Sequence, residues 1–304
     1  MKTIGGEAHM CDHHEESEDY LPGPESHPRG RAEAAIIYPV ISRRARGLSL
    51  GINLFPDQKR CTYNCPYCEV RPFSNPDVRI APGMVEASLR AFFSQDWPLY
   101  AGQFELKDIS ISGNGEPTLS PFLEEALDAA SAVFHEMATA DPGLDLVPIV
   151  LITNSSGFLR PEICKMLENF SQRARLEVWA KLDGGSPAMH RILSGSNFTY
   201  GRIVDAIADF AVRVPVKLQT MICRDSRNGR TLFDTENYLA TLRIFERKRA
   251  RITGVQLYTV ARPPAEPWIA GLDDAELLTI ARLVRAALPE KIGVECFGRT
   301  GYIE

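Results

Sequence analysis

The sequence predicts an α/β protein built as an open or partial (β/α)6 barrel behind a polar N-terminal tail. Three observations predict it. Six short β-rich runs each precede an amphipathic helical run between residue 34 and the C-terminus. Strand–helix repetition of this kind implies parallel strands joined by right-handed crossovers. Residues of unusual chemistry follow the strands, where such sheets gather their ligands. Six units fall short of the eight in a complete barrel, and a doubly wound sheet fits the same alternation.

The units follow one another along the chain. LSLGINLF (48–55) is a strand, followed by a cysteine-bearing loop and a helix in MVEASLRAFFSQDW (84–97). DISISG (108–113) precedes a helix in PFLEEALDAASAVFHEMA (121–138), and VPIVLITN (147–154) precedes one in RPEICKMLENF (160–170). LEVWAKLDG (176–184) leads to YGRIVDAIADFAVR (200–213), and VPVKLQTMI (214–222) to TENYLATLRIFERKR (235–249). ITGVQLYTV (252–260) leads to DDAELLTIARLVRAAL (273–288), and KIGVECFG (291–298) closes the chain as an additional strand. No internal repeat is visible.

Residues 1–33 are rich in Gly, Pro, His and acid, so they are expected to form a disordered tail ahead of one catalytic domain over 34–304. His9, His13, His14 and His27 lie in that tail. HMCDHHEE is a metal-capture candidate, but a solvated tail is the simpler reading. With 34 basic and 39 acidic residues the net charge is −5, which does not point to nucleic acid or an anionic membrane. No run of about 18 apolar residues exists to span a bilayer. The N-terminus lacks the apolar core of a secretory signal. Seven cysteines, three of them within eight residues, suggest ligands rather than disulfides and a cytoplasmic setting.

Those three are Cys61, Cys65 and Cys68 in CTYNCPYC. Three thiolates so spaced hold three irons of a 4Fe–4S cubane and leave the fourth without a protein ligand. That iron can be chelated by the amine and carboxylate of S-adenosyl-L-methionine (SAM). An electron entering the sulfonium then breaks a C–S bond, giving methionine and a 5′-deoxyadenosyl radical that takes hydrogen from a substrate. Structural zinc is the competing reading, but it wants four ligands, usually in two spaced pairs. Cys164, Cys223 and Cys296 stand alone.

CTYNCPYC after the first strand resembles the signature of the radical SAM superfamily. The resemblance extends through most of residues 36–285. IYPVISRRARGLSLGINLFP, SGNGEPTLSP, LITNSSGFLRPEI, VWAKLDGG and VQLYTVARPPAEPW are similar to a subfamily of Fe–S oxidoreductases called wyosine-synthase-like, after a tRNA-modifying relative. The resemblance implies a cytoplasmic enzyme using a 4Fe–4S cluster and SAM. It implies that Tyr67 packs on adenine, and that Ser112–Pro117 matches a Gly-Gly-Glu motif whose backbone and acid receive the SAM ammonium. Asn114 departs from that motif. It also places Asn154 near the ribose or the methionine carboxylate.

The residue types have their own reasons. Gly113 and Gly115 allow close backbone approach, and the Glu116 carboxylate pairs with an amine, although an ordinary turn with Glu116 opening a helix reads the same. Asn154 also suits a turn or a cap. Lys181, alone in an apolar strand, faces either the SAM carboxylate or Asp183. Gln219 is expected to face the barrel interior, bonded to SAM or substrate. Val255 and Leu257 either border adenine or belong to the core.

Arg43, Arg44 and Arg46, ahead of the first strand, either tune the cluster, bind an anion or lie in solvent. Arg262 and Glu266, in a proline-fixed loop after the sixth strand, are expected to face substrate. ERKRAR (246–251) reads as a solvated helix end. Cys223 and Cys296 are either hydrogen donors or buried thiols. The substrate is a small molecule or RNA, with a protein glycyl residue as a third class. An electron donor of the flavodoxin or ferredoxin type is implied. A non-catalytic Fe–S redox protein is the alternative from another class.

Overall fold

The main sheet runs, in spatial order, through β1 (Ile37–Ser42), β2 (Gly47–Asn53), β3 (Leu106–Ser112), β4 (Ile149–Thr153), β5 (Leu176–Lys181), β6 (Val216–Met221), β9 (Ile252–Tyr258) and β11 (Gly293–Phe297). β1 is antiparallel to β2, and every other neighbouring pair is parallel. The computed structural model describes residues 35–304 except residue 140. The tail expected over 1–33, with its histidines, lies outside the described residues.

The parallel strands keep their chain order across the sheet and never reverse it. A doubly wound sheet needs a reversal point, so the curled, open half-barrel is the correct alternative of the two. The expected extra strand over 291–298 joins as β11, parallel to β9.

The two faces of the sheet carry different chemistry, because side chains alternate along a strand. Leu48, Leu50, Ile52, Ile109 and Ile111 point to one face, where they join helix residues such as Leu89 and Leu127 in one apolar core. Each such side chain contributes about 2 kcal/mol on burial. The opposite face, lining the half-barrel, carries Ser49, Asp108, Ser110, Gln219 and Gln256, all buried. Ser49 bonds Ser110 (3.1 Å) and donates to Asp108, while Gln219 donates to Gln256 (2.8 Å). The interior is a polar network rather than a packed apolar barrel core.

Four features depart from the expected pattern: an edge strand, a short helix, a small second sheet and a broken helix. β1 precedes Arg43–Arg46, so these arginines form a hairpin turn and do not lead into a first strand. Pro39 sits in β1, which lies at the sheet edge, where a missing N–H costs no ladder bond. A helix at Pro187–Ser194 is held between Gly184 and Gly185 (φ +86° and +80°) and Gly195 (φ +56°). β7 (Cys223–Asp225), β8 (Arg230–Thr231) and β10 (Ile269–Gly271) form a separate small sheet. The helix expected over 84–97 runs Met84–Ala91, widens to a π-turn over Phe92–Asp96 and resumes at Trp97–Tyr100; Pro98 can donate no helical bond there.

The arginine turn joins the two free edges of the sheet. Arg43 donates to the carbonyls of Gly298 and Arg299, the latter at 3.0 Å, just past β11. Arg46 pairs with Glu295 (3.1 Å) and lies 3.6 Å over the Tyr302 ring. Arg44 reaches inward to Gln219 Oε1 (3.1 Å). The turn therefore straddles the open side of the half-barrel.

Candidate active site

A cavity of about 300 Å³ opens at the carboxyl ends of the parallel strands. Cys61, Cys65, Tyr67, Cys68, Gly113, Gly115, Glu116, Asn154 and Lys181 all line it. Of the residues expected to bind cofactor, only Asp183 and Gln219 stand behind the wall.

The cysteine loop leaves β2 and is docked by backbone contacts on both flanks. Arg60 N–H donates to Asn114 O (3.1 Å), and Glu116 N–H donates to Arg60 O (2.8 Å). Asn114 Nδ2 donates to Phe55 O (3.1 Å), and its own N–H donates to Asn53 Oδ1 (3.2 Å). Asn114, which departs from the family motif, thus ties the loop down. On the other flank, Ala265 N–H donates to Cys68 O (2.7 Å) and Glu266 N–H to Pro66 O (3.0 Å).

The glycines serve these contacts. Gly113 has φ +121°, and a Cβ there would fall 2.8 Å from Asn53 Oδ1. A Cβ on Gly115 would overlap the Arg60 carbonyl oxygen. Gly113 thus approaches the end of β2 and Gly115 the cysteine loop, while both also line the cavity.

Cys61 Sγ receives the Tyr63 N–H (3.4 Å) and Asn154 Nδ2 (3.5 Å). Burial raises the pKa of the Cys61 thiol, and it raises that of Cys65 to about 12. Such thiols stay protonated unless a cation takes them, and a metal that coordinates a thiol removes its proton. Sulfur that already receives N–H donors and is poised in a partly dry wall fits an iron–sulfur ligand set. Among the described residues, no three His, Cys, Asp or Glu side chains converge on one point as a single-ion site requires. A cubane asks instead for one thiolate on each of three irons.

Glu116 is buried and heavily bonded. Its Oε1 accepts from Thr118 N–H (3.2 Å), Thr118 Oγ1 (2.6 Å) and Thr153 Oγ1 (2.6 Å), and its Oε2 accepts from Asn154 N–H (2.6 Å). Burial raises its pKa, against the pull of these donors. It also caps the short helix Pro117–Leu119. A carboxylate offers about four acceptor positions, and Oε2 receives only one of these donors. Glu116 is therefore a clip between two strand ends in the wall of the cavity. Asn154 donates to Thr62 Oγ1 (2.8 Å) as well as to Cys61.

Lys181 pairs with Asp183 (3.3 Å), donates to Tyr258 Oη, and lies 5.0 Å and 4.9 Å over the Tyr67 and Tyr258 rings. Burial lowers its pKa, but Asp183 and Tyr258 outweigh that and the net direction is up. Tyr67 donates to Asp183, and burial raises the Tyr67 pKa. Asp183 Oδ1 also accepts from Met221 N–H (2.8 Å). Asp183 thus orients Tyr67 and Lys181 and does not face the cavity.

Gln219 faces the interior as expected, but bonds Arg44 and Gln256. Val255 and Leu257 are fully buried in the core, away from the cavity. Cys223 and Cys296 are likewise fully buried outside it, with burial raising each thiol pKa to about 12. Arg262 lines the cavity and pairs with Glu69 (2.6 Å), next to Cys68, whereas Glu266 is exposed. Tyr38, Ser49, Ser110, Ser112, Thr153 and Tyr258 also line the cavity and escaped the sequence reading. The alternation in DISIS, which turns Ser110 and Ser112 to one face, was the available signal.

An open sheet of sequential parallel strands, with a three-cysteine loop leaving the first of them, is the radical SAM fold. The chain is similar to a radical SAM methyltransferase from Sphaerobacter thermophilus, with a TM-score of 0.54, 16% identity, and 83% of this chain and 66% of that chain covered. It is also similar to TYW1 with a lysine-pyruvate adduct bound, with a TM-score of 0.50, 18% identity, and 78% and 73% covered. In sequence it is 27% identical over 230 residues to a UPF0026 protein of Helicobacter pylori, which covers 74% of this chain and 66% of that protein's length. The chain thus spans less than two thirds of the length of that relative and of the methyltransferase. No family profile matches it. The resemblance read from CTYNCPYC is borne out at the level of the fold.

Proposed function

We propose that the protein is a radical SAM enzyme of the Fe–S oxidoreductase type, in which Cys61, Cys65 and Cys68 hold a 4Fe–4S cluster beside bound SAM. The observation that carries this reading is the position of the three thiols: they sit on one docked loop, in the wall of one cavity, at the carboxyl ends of the parallel strands. The chemistry supplied there is one-electron cleavage of the SAM sulfonium, yielding methionine and a 5′-deoxyadenosyl radical for hydrogen abstraction. Around it, Glu116 Oε2 and Asn154 offer polar partners to the amino acid end of SAM. Tyr67, held by Asp183, offers a flat ring, and Lys181 offers positive charge. An electron donor of the flavodoxin or ferredoxin type and a cytoplasmic setting belong to the same proposal. Among the described residues no helix is long and apolar enough to cross a membrane.

A purely electron-transferring Fe–S protein has no need of a ligand-sized cavity against its cysteines. The test is anaerobic reconstitution followed by dithionite and SAM. Release of 5′-deoxyadenosine, lost in Cys61→Ala, Cys65→Ala and Cys68→Ala, is expected. Retention of iron without SAM cleavage at any reductant concentration would favour the electron-transfer reading.

A further inference from the structure

Four cationic side chains line the cavity: Arg43, Arg44, Lys181 and Arg262. Lys181 is paired with Asp183 and Arg262 with Glu69. Arg43 and Arg44 are different. Among the described residues neither makes an ion pair with a carboxylate. Arg43 is bonded to two backbone carbonyls, and Arg44 to Gln219 and, at 5.0 Å, to the face of the Tyr258 ring. Both are only partly exposed. Asp108 is close enough to feel Arg44, but its Oδ1 is taken by Ser49.

Partly buried cations without a carboxylate in ion-pair contact are costly, and adjacent ones repel. The Arg43 pKa agrees with this: it is lowered to about 10, by burial first and then by Arg44 and Arg262, and the opposing pull of Tyr258 and Glu69 does not offset them. An anion seated between the guanidinium groups would offset both effects, and guanidinium forks suit carboxylate and phosphate oxygens. Ser42 also lines this part of the cavity, and Ser49, Ser110 and Ser112 line its wall with hydroxyl groups.

We propose that Arg43 and Arg44 form an oxyanion subsite for the substrate, which is a small molecule carrying a carboxylate or phosphate and hydroxyl-type polar groups. The inference rests on the radical SAM reading and adds the substrate class. The arginines belong to a hairpin turn crossing the open side of the half-barrel, so the anionic end of the substrate lies at that opening. Its reactive end then points toward the cysteine loop.

The experiment is calorimetric titration of the reconstituted protein with succinate and with inorganic phosphate, then with SAM. Succinate and phosphate separate the two oxyanion types. At least one is expected to bind, and Arg43→Gln and Arg44→Gln each weaken it by roughly tenfold, equivalent to about 1.4 kcal/mol. SAM affinity stays within about twofold, a difference of less than 0.5 kcal/mol. Arg44→Lys keeps the charge but not the fork and should restore only part of the binding; circular dichroism melts check that each variant is folded. Absence of binding, or binding that the substitutions leave unchanged, overturns the proposal. Equal loss of SAM affinity also overturns it, because the arginines then hold the SAM carboxylate. Displacement of the probes by tRNA at stoichiometric concentration would make the ligand a macromolecule instead. Release of 5′-deoxyadenosine, measured on the same preparations, tests the underlying reading separately.

Discussion

Gly115 packs so closely against Arg60 that a side-chain carbon at position 115 would overlap the Arg60 carbonyl oxygen. The two residues form a parallel bridge between the SGNGEP turn and the cysteine loop. Arg60 directly precedes Cys61, so the turn after β3 fixes the starting point of the cysteine loop. Gly115→Ala should therefore displace that loop without removing any ligand. Overpacking of this kind costs about 1–3 kcal/mol. The variant is expected to keep its secondary structure but retain fewer than about two irons of the roughly four that a 4Fe–4S protein carries. Iron retention equal to the unsubstituted protein would show that the bridge does not position the cysteines.

Glu116 joins three things: the helix cap at Thr118, the end of β4 at Thr153 and Asn154, and the cavity. Glu116→Ala leaves the Thr118 and Asn154 N–H groups without their acceptor, at about 1–3 kcal/mol each. Because Asn154 donates to Cys61 Sγ, iron retention should fall as well. Glu116→Gln is the informative change, since it keeps an acceptor for the threonines and removes the charge. SAM affinity should drop by about tenfold, as expected for a lost charge-assisted bond, with iron retained. Unchanged affinity in an iron-replete Glu116→Gln protein would leave Glu116 as a structural clip alone.

These two positions show what the sequence could and could not reveal. The strand–helix alternation gave the parallel order, and the cysteine spacing gave the loop, because both are local patterns. The contacts of Gly113, Gly115 and Asp183 with Asn53, Arg60 and Tyr67 are not legible in the sequence, because those partners are distant along the chain. β1 was missed because Pro39 interrupts it, and the small sheet because its strands are two or three residues long. Arg43 and Arg44 were visible as a basic run, but only the fold shows them crossing an open barrel side.

Asp108 predicts a pH dependence of stability. It is buried on the interior face, and burial raises its pKa from 3.8 to about 6, against the hydrogen bond from Ser49 and the charge of Arg44. Glu177 and Lys217 act on it as well, in opposite directions. Between those two values the folded state holds a proton that the unfolded chain has released. The stabilising contribution of the protonated group is thus complete below about 4 and declines as pH rises toward and through 6. Asp108→Asn should remove that slope and, above pH 7, raise unfolding free energy by on the order of 2 kcal/mol. Urea titrations from pH 5 to 8 measure it. Parallel pH profiles for the two proteins would rule out Asp108 as the source.

Binding of tRNA provides the last prediction. Affinity for tRNA comes largely from phosphate neutralisation, which needs a continuous basic surface and weakens steeply with salt. This chain has 34 basic and 39 acidic residues. Its basic runs are Arg43–Arg46 and Arg247–Arg251. The second precedes β9, whereas the cavity lies at the other end of that strand, beyond Tyr258, roughly 20 Å away at the usual rise per residue. Lys248 within it is already paired with Asp205 and Asp209. In the first run Arg44 is turned inward to Gln219, and Arg43 and Arg46 are already bonded to the Gly298 carbonyl and Glu295. The two runs therefore form no single track leading to the cavity. Filter binding at about 0.15 M salt, the physiological ionic strength, should show no tight complex with bulk tRNA. Submicromolar binding with a steep salt dependence would overturn this and make tRNA modification the leading reading of the site.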